Sequence, residues 1–193
     1  EVLEYPSTID LVNAVKISGR TKEGLGIGFL NTVTKKTDVV IRDIKTGAER
    51  VETVEPLANY NVLVLDQRFN GNSSVSLINT NVTRNGDFRD ANVTATAFNL
   101  NTKKNTYNAN GVLRYSYVND YKNLDNKKGI STNLGFAETS GKIRFSVNGE
   151  YVSENYDNND LGVNFQTNYF SVSGNANYRI LKSTEKLNSF RIN

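Results

Sequence analysis

The stretch Lys142-Ile143-Arg144-Phe145-Ser146-Val147-Asn148-Gly149-Glu150-Tyr151 decides the fold. Apolar or small residues stand at every second position, and charged or hydrogen-bonding residues fill the gaps. A strand turns successive side chains to opposite faces, so this segment has one greasy face and one polar face, which no helix could produce from the same order.

The pattern recurs outward from there. Leu161, Val163 and Phe165 alternate with Gly162, Asn164 and Gln166. Phe170, Val172, Gly174, Ala176, Tyr178 and Ile180 alternate with Ser171, Ser173, Asn175, Asn177 and Arg179. Upstream, Tyr107, Ala109, Gly111, Leu113, Tyr115 and Tyr117 oppose Asn108, Asn110, Arg114 and Ser116; Ala91, Val93, Ala95 and Ala97 oppose Asn92, Thr94 and Thr96; Leu25, Ile27, Phe29 and Val33 oppose Gly24, Gly26, Gly28 and Thr32. Strands are expected at 12–20, 24–34, 60–69, 74–84, 90–101, 105–118, 129–137, 141–152, 161–167 and 170–181, with a partial one at 187–193. The facing of 60–69 and 74–84 stays open, because Asn79 and Asn81 share a side with Val75 and Leu77.

Connection lengths alternate along this reading. Short ones at 21–23, 70–73, 102–104, 138–140 and 168–169 take turns with longer ones at 35–59, 119–128 and 153–160, with 85–89 in between. Up-and-down barrels of the outer membrane have tight turns on one rim and long loops on the other, whereas a Greek-key sandwich has no reason to alternate. The connection 35–59 carries two β-like halves about Lys45-Thr46-Gly47 and reads as a protruding extracellular hairpin. The expected fold class is therefore all-β: an antiparallel up-and-down transmembrane β-barrel, present in part, with about 10–11 strands. Residues 1–11 form a lead-in segment, placed in the lumen, and 12–193 the N-terminal part of the barrel.

Composition agrees. The 193 residues hold 37% hydrophobic and 22% charged residues, too much apolar material for a disordered tail. No run of eighteen apolar residues exists and mean hydropathy is -0.50, compatible with barrel strands, whose alternation keeps the mean low. Asn occurs 29 times and Pro twice, suiting many strands joined by turns. The polar face is rich in Asn, Ser, Thr, Gln and Gly rather than Lys and Glu, as a hydrated or plugged lumen would be. Cys, His, Met and Trp are absent, which removes His-dependent hydrolytic triads, disulfides and thiolate zinc sites. The net charge of +3 is a weak argument for a nucleic-acid partner.

Individual motifs reduce to structure. In Gly24-Leu25-Gly26-Ile27-Gly28 the third glycine comes too early for a dinucleotide fingerprint, and a strand follows instead of a helix; glycines on the inner face, where another backbone comes close, explain it. Glu154-Asn155-Tyr156-Asp157-Asn158-Asn159-Asp160 offers oxygen ligands for calcium but lacks EF-hand spacing, and reads as a solvated loop. Acidic residues are scattered in loops with no pair assignable to glycoside hydrolysis. Arg114 and the tyrosines Tyr115 and Tyr117 point to opposite sides, so they form no stacking platform for single strands. The Asn-x-Ser/Thr matches at Asn72, Asn81 and Asn92 follow from composition alone.

Five segments carry a resemblance: Ala14-Val15-Lys16-Ile17-Ser18-Gly19-Arg20-Thr21; Gly24-Leu25-Gly26-Ile27-Gly28-Phe29-Leu30-Asn31; the run from Val54-Glu55-Pro56-Leu57 through Asp66-Gln67; Ser73-Ser74-Val75-Ser76-Leu77-Ile78-Asn79-Thr80-Asn81; and Asn159-Asp160-Leu161-Gly162. In these the chain resembles Bacteroidetes outer-membrane proteins that join an N-terminal carbohydrate-binding family 9-like module to a large β-barrel domain. The resemblance implies location and architecture and brings no catalytic residues with it. The sugar-binding module would lie upstream. The last residues, Arg191-Ile192-Asn193, fall inside a strand without the terminal aromatic of complete barrels, so the expectation is the first part of a larger barrel.

The functional expectation is a non-catalytic barrel in the outer membrane of a Gram-negative bacterium, serving in transport, surface glycan capture or as a subunit of an envelope complex. The alternative is a soluble β-sandwich adhesin or lectin-like domain. Lipid-facing positions are Leu25, Ile27, Phe29, Leu113, Tyr115, Tyr117, Ile143, Phe145, Val147, Tyr151, Val172 and Tyr178. Lumen-facing positions are Gly26, Gly28, Asn108, Arg114, Arg144, Asn148, Glu150, Asn164, Asn175 and Asn177. Expected partners are outer-membrane lipid, the remaining barrel strands and other envelope proteins or glycans. No catalytic residue, metal, cofactor or nucleic acid is expected.

Overall fold

The computed structural model describes residues 1–4, 8–121, 125–180 and 189–193. Among the described residues all regular elements are strands: β1 (Val2–Glu4), β2 (Leu11–Arg20), β3 (Leu25–Thr34), β4 (Thr37–Arg42), β5 (Glu49–Glu55), β6 (Ala58–Phe69), β7 (Ser73–Arg84), β8 (Asp90–Asn101), β9 (Tyr107–Asp120), β10 (Asp125–Glu138), β11 (Ile143–Val152), β12 (Tyr169–Ile180) and β13 (Phe190–Ile192). Ten of them form one antiparallel sheet in the order β13-β12-β11-β10-β9-β8-β7-β6-β3-β2, a meander interrupted only by the excursion through β4 and β5. That excursion is the expected hairpin in 35–59, and the lead-in segment supplies β1 to it, giving a separate three-stranded sheet β1-β4-β5. The large sheet is open, with β2 and β13 at its edges.

Two expected features are corrected. Residues 161–167 are not a strand: β11 pairs directly with β12 from Ile143↔Tyr178 to Val152↔Tyr169, leaving no place between them. Leu161 instead folds over the sheet beside Asp160, whose carboxylate is held by arginines, so 153–168 is one long connection. The long connection expected at 119–128 shrinks, because β9 and β10 run on and pair as far as Asp120↔Asp125. Among the described residues one rim of the sheet carries the tight turns 21–24, 70–72, 102–106 and 139–142, and the other carries both long excursions, 35–57 and 153–168. Several turns rest on left-handed residues, such as Asn70 (φ 52°) followed by Gly71 (φ 75°), a conformation that Asn and Gly tolerate better than other residues.

The strands are stepped. A row of directly opposed residues runs Gly19, Ile27, Leu65, Leu77, Thr96, Leu113, Thr132, Tyr151, Phe170. In β2 this row lies next to the tight-turn end at Arg20; in β12 it lies at the opposite end, beside Tyr169. The apolar stretch moves with the step, from Leu25–Phe29 in β3 to 170–178 in β12. Such a progressive stagger is the geometry of tilted strands in curved sheets and barrels.

Candidate functional site

The register fixes which side chains share a face. All twelve positions expected to meet lipid, from Leu25 to Tyr178, lie on one face, because each pairs across the ladders with members of the same set or with the residues that join them, for example Phe145↔Ala176 and Ile143↔Tyr178. No second layer covers this face among the described residues, and its side chains are open: Ile17 is 63% exposed, Leu113 56%, Leu134 54% and Val172 61%. The open facing of β6 and β7 is resolved as well. Val75, Leu77, Asn79 and Asn81 all belong to this face, and its long-loop half carries amide pairs: Asn31 Nδ2 donates to Asn59 Oδ1 at 2.6 Å and Asn61 Oδ1 at 2.8 Å, and Asn79 Nδ2 to Asn92 Oδ1 at 3.1 Å and Thr94 Oγ1 at 2.8 Å.

Nine of the ten expected lumen positions lie on the opposite face: Gly26, Gly28, Asn108, Arg114, Arg144, Asn148, Glu150, Asn175 and Asn177. Asn164 is the exception, since it sits in the loop 153–168, where its backbone N–H donates to Asn159 Oδ1 at 2.7 Å. The polar face is tied across strands. Arg20 on β2 lies over Gly26 on β3 to reach Asp66 on β6 at 2.5 Å, and a Cβ at Gly26 would stand 2.6 Å from its guanidinium. The glycine thus makes room for a side chain, not for the backbone expected there. Asn108 Nδ2 bridges to Asn99 Oδ1 (2.6 Å) and Asn101 Oδ1 (2.9 Å), and Arg114 Nη1 donates to Asn133 Oδ1 at 2.7 Å.

Sequence reasoning missed the main feature of this face. Over β7–β9 it becomes apolar, with Ile78, Val82, Ala91, Val93, Ala95, Ala97, Val112 and Val118, and the loop 153–168 folds back to cover it. Tyr156 is buried to 5% exposure, and a Cβ on Gly129 would strike the Tyr156 backbone at 2.2 Å. The signal was present in the alanines at 91, 95 and 97: small side chains leave depth for a covering segment. At its long-loop rim the loop is latched by charge. Arg84 Nη1 meets Asp160 Oδ1 at 2.8 Å and Arg84 Nε approaches Glu55 Oε1 at 3.6 Å; Arg89 also grips Asp160 and meets Asp157 at 3.2 Å; Asp157 N–H donates to Ser116 Oγ at 3.0 Å. Burial alone would push the Asp157 carboxyl up, but the Asn159 backbone N–H and Arg89 outweigh it and hold the group below the usual carboxylate range. Each of these carboxylates is committed to an arginine, which makes the cluster a clamp. Among the described residues no group of three or more His, Cys, Asp or Glu could hold a metal ion.

Between loop and sheet lies a cavity of about 280 Å³, lined by Ile78, Val93, Ala95, Ala97 and Val112 below and by Arg114, Tyr156, Asn158 and Leu161 at its sides. Over residues 1–193 the chain matches the family model described as a domain of unknown function (DUF5916). No curated protein and no solved structure matches it.

Proposed function

We propose that this chain, which belongs to the DUF5916 family, forms part of a non-catalytic β-barrel in the outer membrane of a Gram-negative bacterium, and that the barrel carries small solutes past an internal loop. The observation that carries this reading is the uncovered apolar face. Monomeric soluble proteins seldom expose contiguous apolar patches beyond a few hundred Å², yet Leu113, Leu134, Phe136, Val147 and Val172 stand open on neighbouring strands. Lipid satisfies such a face, and the stepped strands suit the tilt of a barrel wall. The opposite face then lines the lumen, and the latched loop narrows it. The two open edges, β2 and β13, would pair with further barrel strands, since unpaired backbone groups in hydrocarbon cost several kcal/mol each. The hairpin β4–β5, on the rim with the long connections, would face outward and contact envelope partners or glycans. A soluble adhesin would need a second sheet over the apolar face.

Membrane fractionation of cells expressing the full-length protein, followed by gel mobility with and without heating, tests the reading. Recovery in the outer-membrane fraction with heat-modifiable mobility is expected. Recovery in the soluble fraction would contradict it and favour the sandwich.

A further inference from the structure

The cavity beneath the loop is built like a binding site. Its floor is apolar, formed by Ile78, Val93, Ala95, Ala97 and Val112, and two hydrogen-bonding groups stand at its sides without full partners. The Tyr156 hydroxyl is buried with no hydrogen-bond partner among the described residues, although the residue is only 5% exposed. Buried hydroxyls are normally paired, and leaving one unpaired forfeits the hydrogen bond it made with water. Arg114 donates only to the neutral oxygens of Asn133 and Ser131, and no carboxylate lies within ion-pair distance of it among the described residues. A cation and a free hydroxyl beside an apolar floor match a carboxylate head on a short aliphatic chain. The cavity, of about 280 Å³, has room for a short aliphatic chain.

We propose that this cavity binds a short-chain aliphatic monocarboxylate, with Arg114 holding the carboxylate, Tyr156 turning its enclosed hydroxyl out to donate to it and the chain lying along Val93, Ala95 and Ala97. This rests on the reading of the covered face as the interior one, and it assigns the solute class that the loop would retain. Asn158, whose Oδ1 is also buried without a partner, accepts nothing from a carboxylate but can turn its amide nitrogen toward it.

The test is calorimetric titration of hexanoate into the full-length protein in lipid nanodiscs, with empty discs subtracted and hexanol as the uncharged control. Saturable binding of hexanoate, at least about tenfold tighter than hexanol, is expected. R114Q should weaken it about tenfold or more, and Y156F by about three- to tenfold, as befits a charge-assisted and an ordinary hydrogen bond. No saturable binding, or equal binding of hexanoate and hexanol by the unaltered protein, would overturn the proposal, and neither result depends on a variant folding. Binding unchanged in an R114Q protein that keeps its heat-modifiable mobility would also overturn it. A protein that never enters discs contradicts the membrane reading instead, and the same titration in buffer then decides the site separately.

Discussion

The long-loop half of strands β7 and β8 and strands β11 and β12 belong to one sheet, yet their two faces are furnished in opposite ways. In β11 and β12 the face that is bare of any second layer carries Phe145, Val147, Val172 and Tyr178, and the other carries Asn148, Glu150, Ser173 and Asn175. In the long-loop half of β7 and β8 the bare face carries Asn79, Asn81, Asn92 and Thr94, while the other presents Val82, Ala91, Val93 and Ala95 beneath the loop. The difference teaches that alternation reports what covers each face locally. Where a loop folds back, the apolar residues follow it; where the bare face passes beyond an apolar belt, amide ladders replace the aliphatic side chains.

The largest effect should come from uncoupling the loop that creates this inversion. Asp160 is nearly buried between Arg84 and Arg89, and removing one partner of a buried pair costs about 3–5 kcal/mol. D160A should therefore release 153–168 while the ladders of β11 and β12 persist, seen as lost hydrogen-exchange protection at the Asp157 amide. Retained protection there would break the comparison. A smaller effect is expected from charge on the two faces of β11: V147R should cost about 2–4 kcal/mol on folding into vesicles if it sits near the bilayer midplane, whereas N148R, on the polar face, and N81R, beyond the belt, should cost at most about 1 kcal/mol. Equal losses at Val147 and Asn81 would remove the belt boundary. The smallest is a pH effect. Asp157 keeps its carboxyl below the usual range through Asn159 and Arg89, so its contribution to the latch is full above the ordinary carboxylate range and fades as pH falls through its lowered value. Exchange at 153–168 should rise on strong acidification, with no change between neutral and mildly acidic pH.

Most of the sheet was legible in the sequence because period-2 alternation runs through β3, β9, β11 and β12, broken in β3 by Leu30 and Asn31 and in β9 by Val112 and Val118, and the register separates the two expected sets of side chains onto opposite faces. The expected strand at 161–167 shows where alternation misleads: Leu161, Val163 and Phe165 alternate as a strand would, but the ladder between β11 and β12 is already complete and Asp160 is clamped by two arginines from β7 and the 85–89 connection. Nothing local to 161–167 announces those partners, which lie some seventy positions away in sequence. The latch and the cavity were hidden for the same reason. Arg84, Arg89, Ser116 and Gly129 are unremarkable in their own segments and acquire meaning only when β7–β10 bring them beneath one loop.

The central claim is that one face of this sheet meets lipid and the other water, and residues 1–193 hold no cysteine, so once any thiol elsewhere in the full-length protein is replaced, each introduced thiol is a unique reporter. Single cysteines at Leu134, Val147, Asn133 and Asn148, probed in vesicles containing the full-length protein, test it most directly. The account predicts that thiols at Leu134 and Val147 resist a water-soluble maleimide and that fluorophores placed there are quenched by nitroxide lipids, while those at Asn133 and Asn148 react with the maleimide and escape the quencher. Equal reaction with the maleimide at all four positions, with no quenching from lipid at any, would contradict it.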